Sequence, residues 1–107
     1  MTTIKQNCGY ATLINVFTVE PDGATKLAAL LQTATEEMMC HQPGFRSANI
    51  HVSTDGTRVV NYAQWDSAEA YLAMLADPST QPHMADAAAL AISFDPHLYT
   101  VESVHER

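Results

Sequence analysis

The sequence predicts an α+β fold of the ferredoxin-like type, in which a split βαβ pattern builds one four-stranded antiparallel sheet. Three observations lead to this prediction. Segments with strand-like alternation and segments with helical spacing follow the order strand, helix, strand, strand, helix, strand. An Asp-Gly pair between two β-branched segments joins the middle strands as a hairpin. The 107 residues suffice for one hydrophobic core, so we expect a single domain.

The first half of the chain supplies a strand and a long helix. After residues 1–10, which we expect to be flexible or extended, Ala11–Val19 alternates as a strand does. One face of this strand carries Leu13, Asn15 and Phe17. Apolar residues then recur at helical spacing from about Gly23 to Cys40, and Pro43-Gly44 ends this amphipathic helix.

The second and third strands are predicted over Phe45–Ser53 and Arg58–Trp65. In the third strand, Asn61 and Trp65 share a face because they are four residues apart. The loop between the strands decides which residues join them on that face.

Two loop lengths are compatible with the Asp-Gly pair. A two-residue loop would place Ile50 opposite Asn61. A three-residue loop with Gly56 in the left-handed conformation would place Asn49 opposite Asn61 and bring His51 to the Asn61 face. We predict the three-residue loop.

The second half supplies two helical segments and a last strand. Asp66 or Ser67 can cap the first of these helices, and Asp66 with Glu69 fits a capping box. Its inner stripe contains Ala70, Tyr71, Met74 and Leu75. Asp77-Pro78 interrupts the helix.

A short helix over about His83–Ile92 can follow, because Pro82 suits a helix start. We read Ser93–Pro96 as a loop and Leu98–His105 as the last strand.

Charge and cysteine content limit the partners and the compartment. The net charge is −7 and the five Lys and Arg residues do not cluster, so neither nucleic acid nor an anionic membrane is an expected partner. Cys8 and Cys40 are too few for a disulfide framework or a zinc site. No signal peptide and no apolar stretch of about 20 residues is visible. We therefore expect a cytoplasmic protein with free thiols.

Two helices can cover only one face of the sheet, yet apolar residues lie on both faces. Those assigned to the uncovered face are Ile14, Val16, Val60 and Tyr62. A soluble monomer seldom exposes so large an apolar patch. We predict a homodimer packed sheet to sheet, with a pocket in each subunit between its sheet and its helices.

The chemistry available to such a pocket is limited. The amide of Asn61 and the indole N–H of Trp65 could hold a developing oxyanion. The alternative is a core strand in which Trp65 packs under a helix and Asn61 bonds to backbone. No hydrolase triad, phosphate loop or carboxylate pair is visible. A pocket with few charges suits a flat aromatic molecule.

Histidines are the remaining acid–base candidates. His51 is a plausible base if the three-residue loop forms. His83, at the start of the short helix, could be a base or a metal ligand. A metal site built from these two would need a third ligand that the sequence does not offer, so we predict no metal.

Five sequence blocks, taken together, resemble the antibiotic biosynthesis monooxygenase (ABM) family. They are Leu13-Ile14-Asn15-Val16-Phe17, His41-Gln42-Pro43-Gly44-Phe45, Asp55-Gly56-Thr57-Arg58, Asn61-Tyr62-Ala63-Gln64-Trp65 and Glu69-Ala70-Tyr71. The resemblance implies a dimeric α+β barrel. It also implies oxidation of an anthrone-like aromatic polyketide substrate to a quinone by O₂, without flavin, haem or metal.

The resemblance implies roles for particular residues. Asn61 and Trp65 would hold the oxo group of the substrate, Tyr71 would hydrogen-bond or shuttle a proton, and His51 would assist as base. Further substrate contacts are expected from Asn15, Phe17, Met74 and His83. The chain departs from the family in one respect: some members carry an arginine in the short helix, and residues 81–91 contain none.

Two other functions fit the same pocket. Haem-degrading enzymes of this fold use an Asn on the first strand, a Trp at the strand-to-helix junction and a His ligand, and Asn15, Trp65 and His83 occupy comparable positions. Haem would be a cofactor only in that case. The third hypothesis is a non-catalytic dimeric module that binds an aromatic ligand, because a fold alone does not establish a function.

Overall fold

The computed structural model describes residues 1–6 and 8–107 and has the predicted α+β architecture. One antiparallel sheet has the strand order β2-β3-β1-β4. The strands are β1 (Ala11–Thr18), β2 (Phe45–Val52), β3 (Arg58–Trp65) and β4 (Ser93–Tyr99). The helices are α1 (Ala24–Glu37), α2 (Ala68–Ala76) and α3 (Gln81–Leu90), with short 3-10 turns at Met39–His41 and Pro78–Thr80. The predicted ferredoxin-like fold is confirmed.

The helices pack on one face of the sheet, here called the inner face, and the core between them has two halves. The closed half holds the buried residues Phe17, Val19, Ala24, Leu27, Val59 and Ala87. The pocket half holds the buried residues Leu13, Ala63, Trp65, Tyr71 and Met74. The opposite side of the sheet is the outer face. Strand alternation thus separates the residues of β1 and β3 as predicted.

The hairpin register differs from our prediction. Ile50 pairs with Asn61, and His51 pairs with Val60 on the outer face. Gly56 does have the predicted left-handed conformation, with φ of +74°. The loop, however, contains four residues, Thr54–Thr57, because the last backbone bond of the ladder runs from the Ser53 N–H to the Arg58 carbonyl at 2.9 Å.

Asp55 explains why the longer loop forms. Its carboxylate accepts hydrogen bonds of 2.7 Å from the hydroxyls of Ser53 and Thr57 and one of 3.0 Å from the Thr57 N–H. The bonds from Thr57 and Ser53 lower the pKa of Asp55 to about 2. A four-residue loop changes the pairing by one residue relative to a three-residue loop, and this moves His51 to the opposite face.

The last strand begins earlier than predicted. Ser93–Pro96, which we read as a loop, belongs to β4, and the residues after Tyr99 have no regular secondary structure. Pro96 pairs with Asn15 on β1. A proline is tolerated there because β4 is an edge strand and a proline lacks only the N–H that would serve a further neighbour.

Helix α2 is capped by Ser67, whose hydroxyl accepts a 3.1 Å hydrogen bond from the Ala70 N–H. The predicted capping box of Asp66 with Glu69 is wrong. Asp66 instead forms an ion pair with Arg46 at 2.9 Å. Helix α3 begins at Gln81, two residues before our predicted start, and includes Pro82 in its first turn.

The outer face carries half-buried apolar residues at its centre and the start of the chain at one end. The half-buried residues are Ile14, Val16, Val60 and Tyr62. Near them, the Gln64 amide donates a 2.7 Å hydrogen bond to the Thr3 carbonyl. A second subunit on this face stays a prediction. Within residues 1–6 and 8–107, no helix is long and apolar enough to cross a membrane.

Candidate active site

A pocket of about 160 Å³ lies between the inner face of the sheet and the helices. Seven of the eight side chains predicted for the site line it: Asn15, Phe17, Asn61, Trp65, Tyr71, Met74 and His83. No Asp, Glu, Lys or Arg is among the described residues that line the pocket. A charge that develops on a ligand inside it therefore meets no Asp, Glu, Lys or Arg side chain among these lining residues.

Two asparagines face each other across the floor of the pocket. Asn15 on β1 pairs directly with Asn61 on β3. The Oδ1 atoms of both side chains are buried, and neither has a hydrogen-bond partner among the described residues. A buried polar atom without a partner is costly, so such atoms are uncommon unless a ligand or function uses them. Each amide also carries an N–H₂ donor, so the pair can both donate to and accept from a bound oxygen.

Trp65 is both a core residue and an unused donor. Only 2% of its surface is exposed. Phe45 and Tyr71 pack edge to face against it, with ring centroids 5.5 and 6.1 Å away. Its Nε1 atom is buried and has no partner in the part of the chain that the structure describes. The two interpretations of Trp65 are thus compatible, because the ring packs in the core while its N–H makes no hydrogen bond to the described residues.

Tyr71 reaches the pocket from α2. It is 8% exposed, and burial raises the pKa of its phenol. The hydroxyl therefore stays protonated at neutral pH and can donate a hydrogen bond. The approach of α2 to the sheet is set at Gly44, whose φ is +84° and where a Cβ would come within 2.5 Å of the Ala70 Cβ.

His83 lies in the first turn of α3 and is the one imidazole among the described pocket residues. Thr80, the residue directly before α3, is fully buried. The Thr80 hydroxyl lies 2.8 Å from the carbonyls of both Met74 and Asp77, and this fixes the junction between α2 and α3. This turn places His83 at the pocket.

His51 does not join the site. It is exposed on the outer face, with its Nδ1 3.2 Å from the Asn49 carbonyl. The prediction that it assists as a base next to Asn61 is wrong, because the four-residue loop directs it away from the helices. Ile50 takes the position on the inner face opposite Asn61.

Several pocket residues were missed from the sequence. Met39, Met84 and Phe45 line it, as do Thr35 on α1 and Phe94 on β4. The helical stripe of α1 could have indicated Thr35, one turn after Leu31. Phe94 could not be found while its segment was read as a loop.

Clusters of three or more His, Cys, Asp or Glu side chains that could hold a metal ion are absent from the described residues. The absence of a metal in the working protein stays a prediction. A haem ligand would need a single histidine, for which His83 is placed in the pocket.

Comparisons with known proteins identify the family of the chain. The sequence profile described as antibiotic biosynthesis monooxygenase matches residues 11–90. The chain is 48% identical over 83 residues to tetracenomycin-F1 monooxygenase of Streptomyces glaucescens, an alignment that covers 78% of this chain and 74% of that protein.

Two solved structures from Streptomyces share the fold. A monooxygenase from the gene ActVA-Orf6 of Streptomyces coelicolor, in complex with nanaomycin D, superposes with a TM-score of 0.82 at 33% identity, covering 92% of each chain. SnoaB, a cofactor-independent oxygenase of Streptomyces nogalater, superposes with a TM-score of 0.75 at 25% identity, covering 91% of this chain and 97% of SnoaB. Because the family profile matches most of the length of this chain, the chain belongs to the antibiotic biosynthesis monooxygenase family.

Proposed function

We propose that this monooxygenase oxidises an anthrone-type phenol of the aromatic polyketide class to a quinone, with O₂ as the oxidant and no cofactor. The observation that carries the proposal is that Asn15, Asn61 and Trp65 line a pocket with no Asp, Glu, Lys or Arg among its described residues, while the two Oδ1 atoms and the indole Nε1 are buried without protein partners. The similarity to a tetracenomycin-F1 monooxygenase and to a cofactor-independent oxygenase supports the same substrate class and the same chemistry.

The reaction balances without a further reductant, because the substrate supplies the electrons. Anthrone, C₁₄H₁₀O, and O₂ give anthraquinone, C₁₄H₈O₂, and water. His83 accepts the proton that the substrate loses, since it is the one imidazole among the described pocket residues. The resulting anion passes one electron to O₂, the two radicals combine to a peroxide, and the peroxide eliminates water.

Asn61 and Trp65 stabilise the anion by donating hydrogen bonds to its oxygen. Such preorganised donors act strongly in a pocket with few other charges, because no solvent needs to reorganise. Asn15 completes this polar floor from the neighbouring strand. Tyr71, which burial keeps protonated, donates a hydrogen bond to a second oxygen or returns a proton to the peroxide.

A homodimer completes the proposed assembly. We place a second subunit on the outer face, over the half-buried Ile14, Val16, Val60 and Tyr62, because these residues form the apolar centre of that face. Sedimentation at micromolar concentration should give the dimer mass, and a monomer mass would contradict this part of the proposal. The exposed free thiols of Cys8 and Cys40 suit the reducing cytosol, where we place the protein.

The two alternative functions separate from this one by experiment. A haem-degrading enzyme would give a sharp Soret band with added hemin, and His83→Ala would abolish the band. A binding module would bind hydroxylated aromatics without consuming O₂. Among the relatives named above, one is a tetracenomycin-F1 monooxygenase and one is a cofactor-independent oxygenase, which favours the quinone-forming reaction.

The test is O₂ uptake with anthrone by enzyme freed of flavin and treated with a chelator. One O₂ should be consumed for each anthraquinone formed, at a rate that increases in proportion to the enzyme concentration. The reaction is not that of this protein if uptake stays at the rate of anthrone in buffer alone, or appears only when a metal, flavin or haem is added.

A further inference from the structure

We infer that the pocket selects its substrate by the position of one oxygen and tolerates different numbers of fused rings, because its two walls differ in stiffness. This inference rests on the proposed function and specifies its substrate class. The substrates would be anthrones and related phenols that share the oxygen-bearing ring and differ in the rings fused beyond it.

The stiff wall is the sheet. Asn15, Asn61 and Trp65 lie on β1 and β3, the two central strands, and each of these strands is paired on both sides. The backbone positions of the polar groups are thus held by hydrogen-bonded neighbours. A substrate oxygen that hydrogen-bonds to these groups must therefore occupy one fixed position relative to the sheet.

The opposite wall contains methionines from three separate elements. Met39 comes from the 3-10 turn after α1, Met74 from α2 and Met84 from α3, and all three line the pocket. The chain has five methionines, of which one is Met1. The remaining one, Met38, precedes Met39, and its sulfur accepts a 3.7 Å hydrogen bond from the Ser79 hydroxyl.

The distribution of methionine between the two halves of the core is uneven. The closed half, of which only Phe17, Leu31 and Ala87 reach the pocket, contains none. This holds for its buried members and for the partly buried Leu30, Leu31, Ile50 and Ala91 packed against it. The pocket half contains Met39, Met74 and Met84. Methionine is unbranched and flexible and fills spaces that change shape. If methionine served only to fill the core, we would expect it in both halves. The methionines therefore mark the wall that moves.

The pocket volume makes such movement necessary. An apolar cavity of about 150 Å³ holds one benzene ring. The pocket, at about 160 Å³, therefore holds one ring of a fused system in its present shape. Further rings must displace the methionine side chains or extend through the mouth, where Phe94 on the exposed strand β4 lines the pocket.

Binding is measured first, under anaerobic conditions, by quenching of the fluorescence of Trp65, the one tryptophan of the chain. The probes are anthrone, 1,8-dihydroxyanthrone, a benzo-fused four-ring anthrone and oxygen-free anthracene. The dissociation constants of the three anthrones should lie within about tenfold of one another. Anthracene should bind at least about tenfold more weakly than anthrone, because one good charge-assisted or polar contact is worth that factor.

The test variant replaces Met39, Met74 and Met84 with Leu, a swap of similar volume that cores tolerate. We expect the spread of dissociation constants among the three anthrones to widen at least tenfold, with the four-ring compound losing most. The matched control, Leu27→Met with Leu30→Met in the closed half, should keep the wild-type spread. The three single Met→Leu variants give the same comparison if the triple variant does not fold.

The inference is overturned if the wild type binds only one ring number, if anthracene binds as well as anthrone, if the Met→Leu variants keep the wild-type spread, or if no probe quenches Trp65. O₂ uptake is measured separately with the same probes. Broad binding without O₂ uptake would remove the proposed reaction and leave the inference standing. O₂ uptake with anthrones of only one ring number would support the proposed reaction and remove the inference.

Discussion

Asn15 and Asn61 stand directly opposite each other on β1 and β3, each with a buried Oδ1 atom that no described residue satisfies. Asn61→Leu keeps the branching of the side chain at Cγ and removes both the unsatisfied Oδ1 and the Nδ2 donor. We expect the free energy of unfolding to rise by about 1–2 kcal/mol, because an unsatisfied buried polar group costs about that much. We expect kcat to fall about 100-fold, as for loss of one oxyanion donor. Denaturant unfolding and O₂ uptake measure the two effects, and a variant that is less stable or fully active would contradict the role given to Asn61.

Trp65→Phe separates the two roles of the indole. The aromatic contacts with Phe45 and Tyr71 are largely kept, while the buried Nε1 donor is lost. We expect turnover to fall about 100-fold with a change in Tm of only a few degrees. Trp65→Leu, which removes the aromatic ring as well, is the control and should lower Tm further. Equal losses of activity and of Tm in Trp65→Phe would show that the residue serves only the core.

His83 and His51 form a matched pair for testing the base. His83 lines the pocket, and His51 is exposed on the outer face. His83→Gln should lower kcat/KM by about 10²–10⁴-fold, the usual range for loss of a general base. His51→Gln should leave kcat/KM unchanged, and the reverse pattern would reassign the base.

Asp55 provides a pH-dependent contribution to stability. Its pKa is about 2 in the folded chain, compared with an ordinary value of 3.8. A lowered folded-state pKa stabilises the fold above the ordinary value and ceases to do so as the pH falls through about 2. Asp55→Asn should therefore have a lower Tm than the wild type at pH 7, and the difference should disappear near pH 2. A difference in Tm that is independent of pH would mean that the carboxylate charge does not act in the loop.

Strand periodicity predicted most of the site, because alternation in β1 and β3 does not depend on the rest of the fold. It places Asn15 with Phe17 and Asn61 with Trp65, whatever the neighbouring strands do. Helical spacing in the same way brought Tyr71 and Met74 to one face of α2. These residues meet because the ferredoxin-like topology makes β1 and β3 neighbours.

Two of the wrong predictions concern the sheet. The hairpin register depends on side-chain hydrogen bonds in the loop, and the start of β4 depends on the position of that strand in the sheet. The hairpin register depended on the bonds that Asp55 makes within a four-residue loop, and one residue of difference moves His51 to the other face. Pro96 indicated a loop, and it is accommodated in β4 only because that strand lies at the edge. Neither edge position nor loop closure can be read from residue types alone.

We predict that one atom of O₂ enters the substrate in the pocket of Asn61 and Trp65, without a cofactor. The most direct measurement is mass spectrometry of the anthraquinone formed from anthrone under ¹⁸O₂ by enzyme freed of metal and flavin. We predict a quinone that carries one ¹⁸O atom in the wild type, formed about 100-fold more slowly by Asn61→Leu. Unlabelled quinone, or labelled quinone formed equally fast by Asn61→Leu, would contradict the claim.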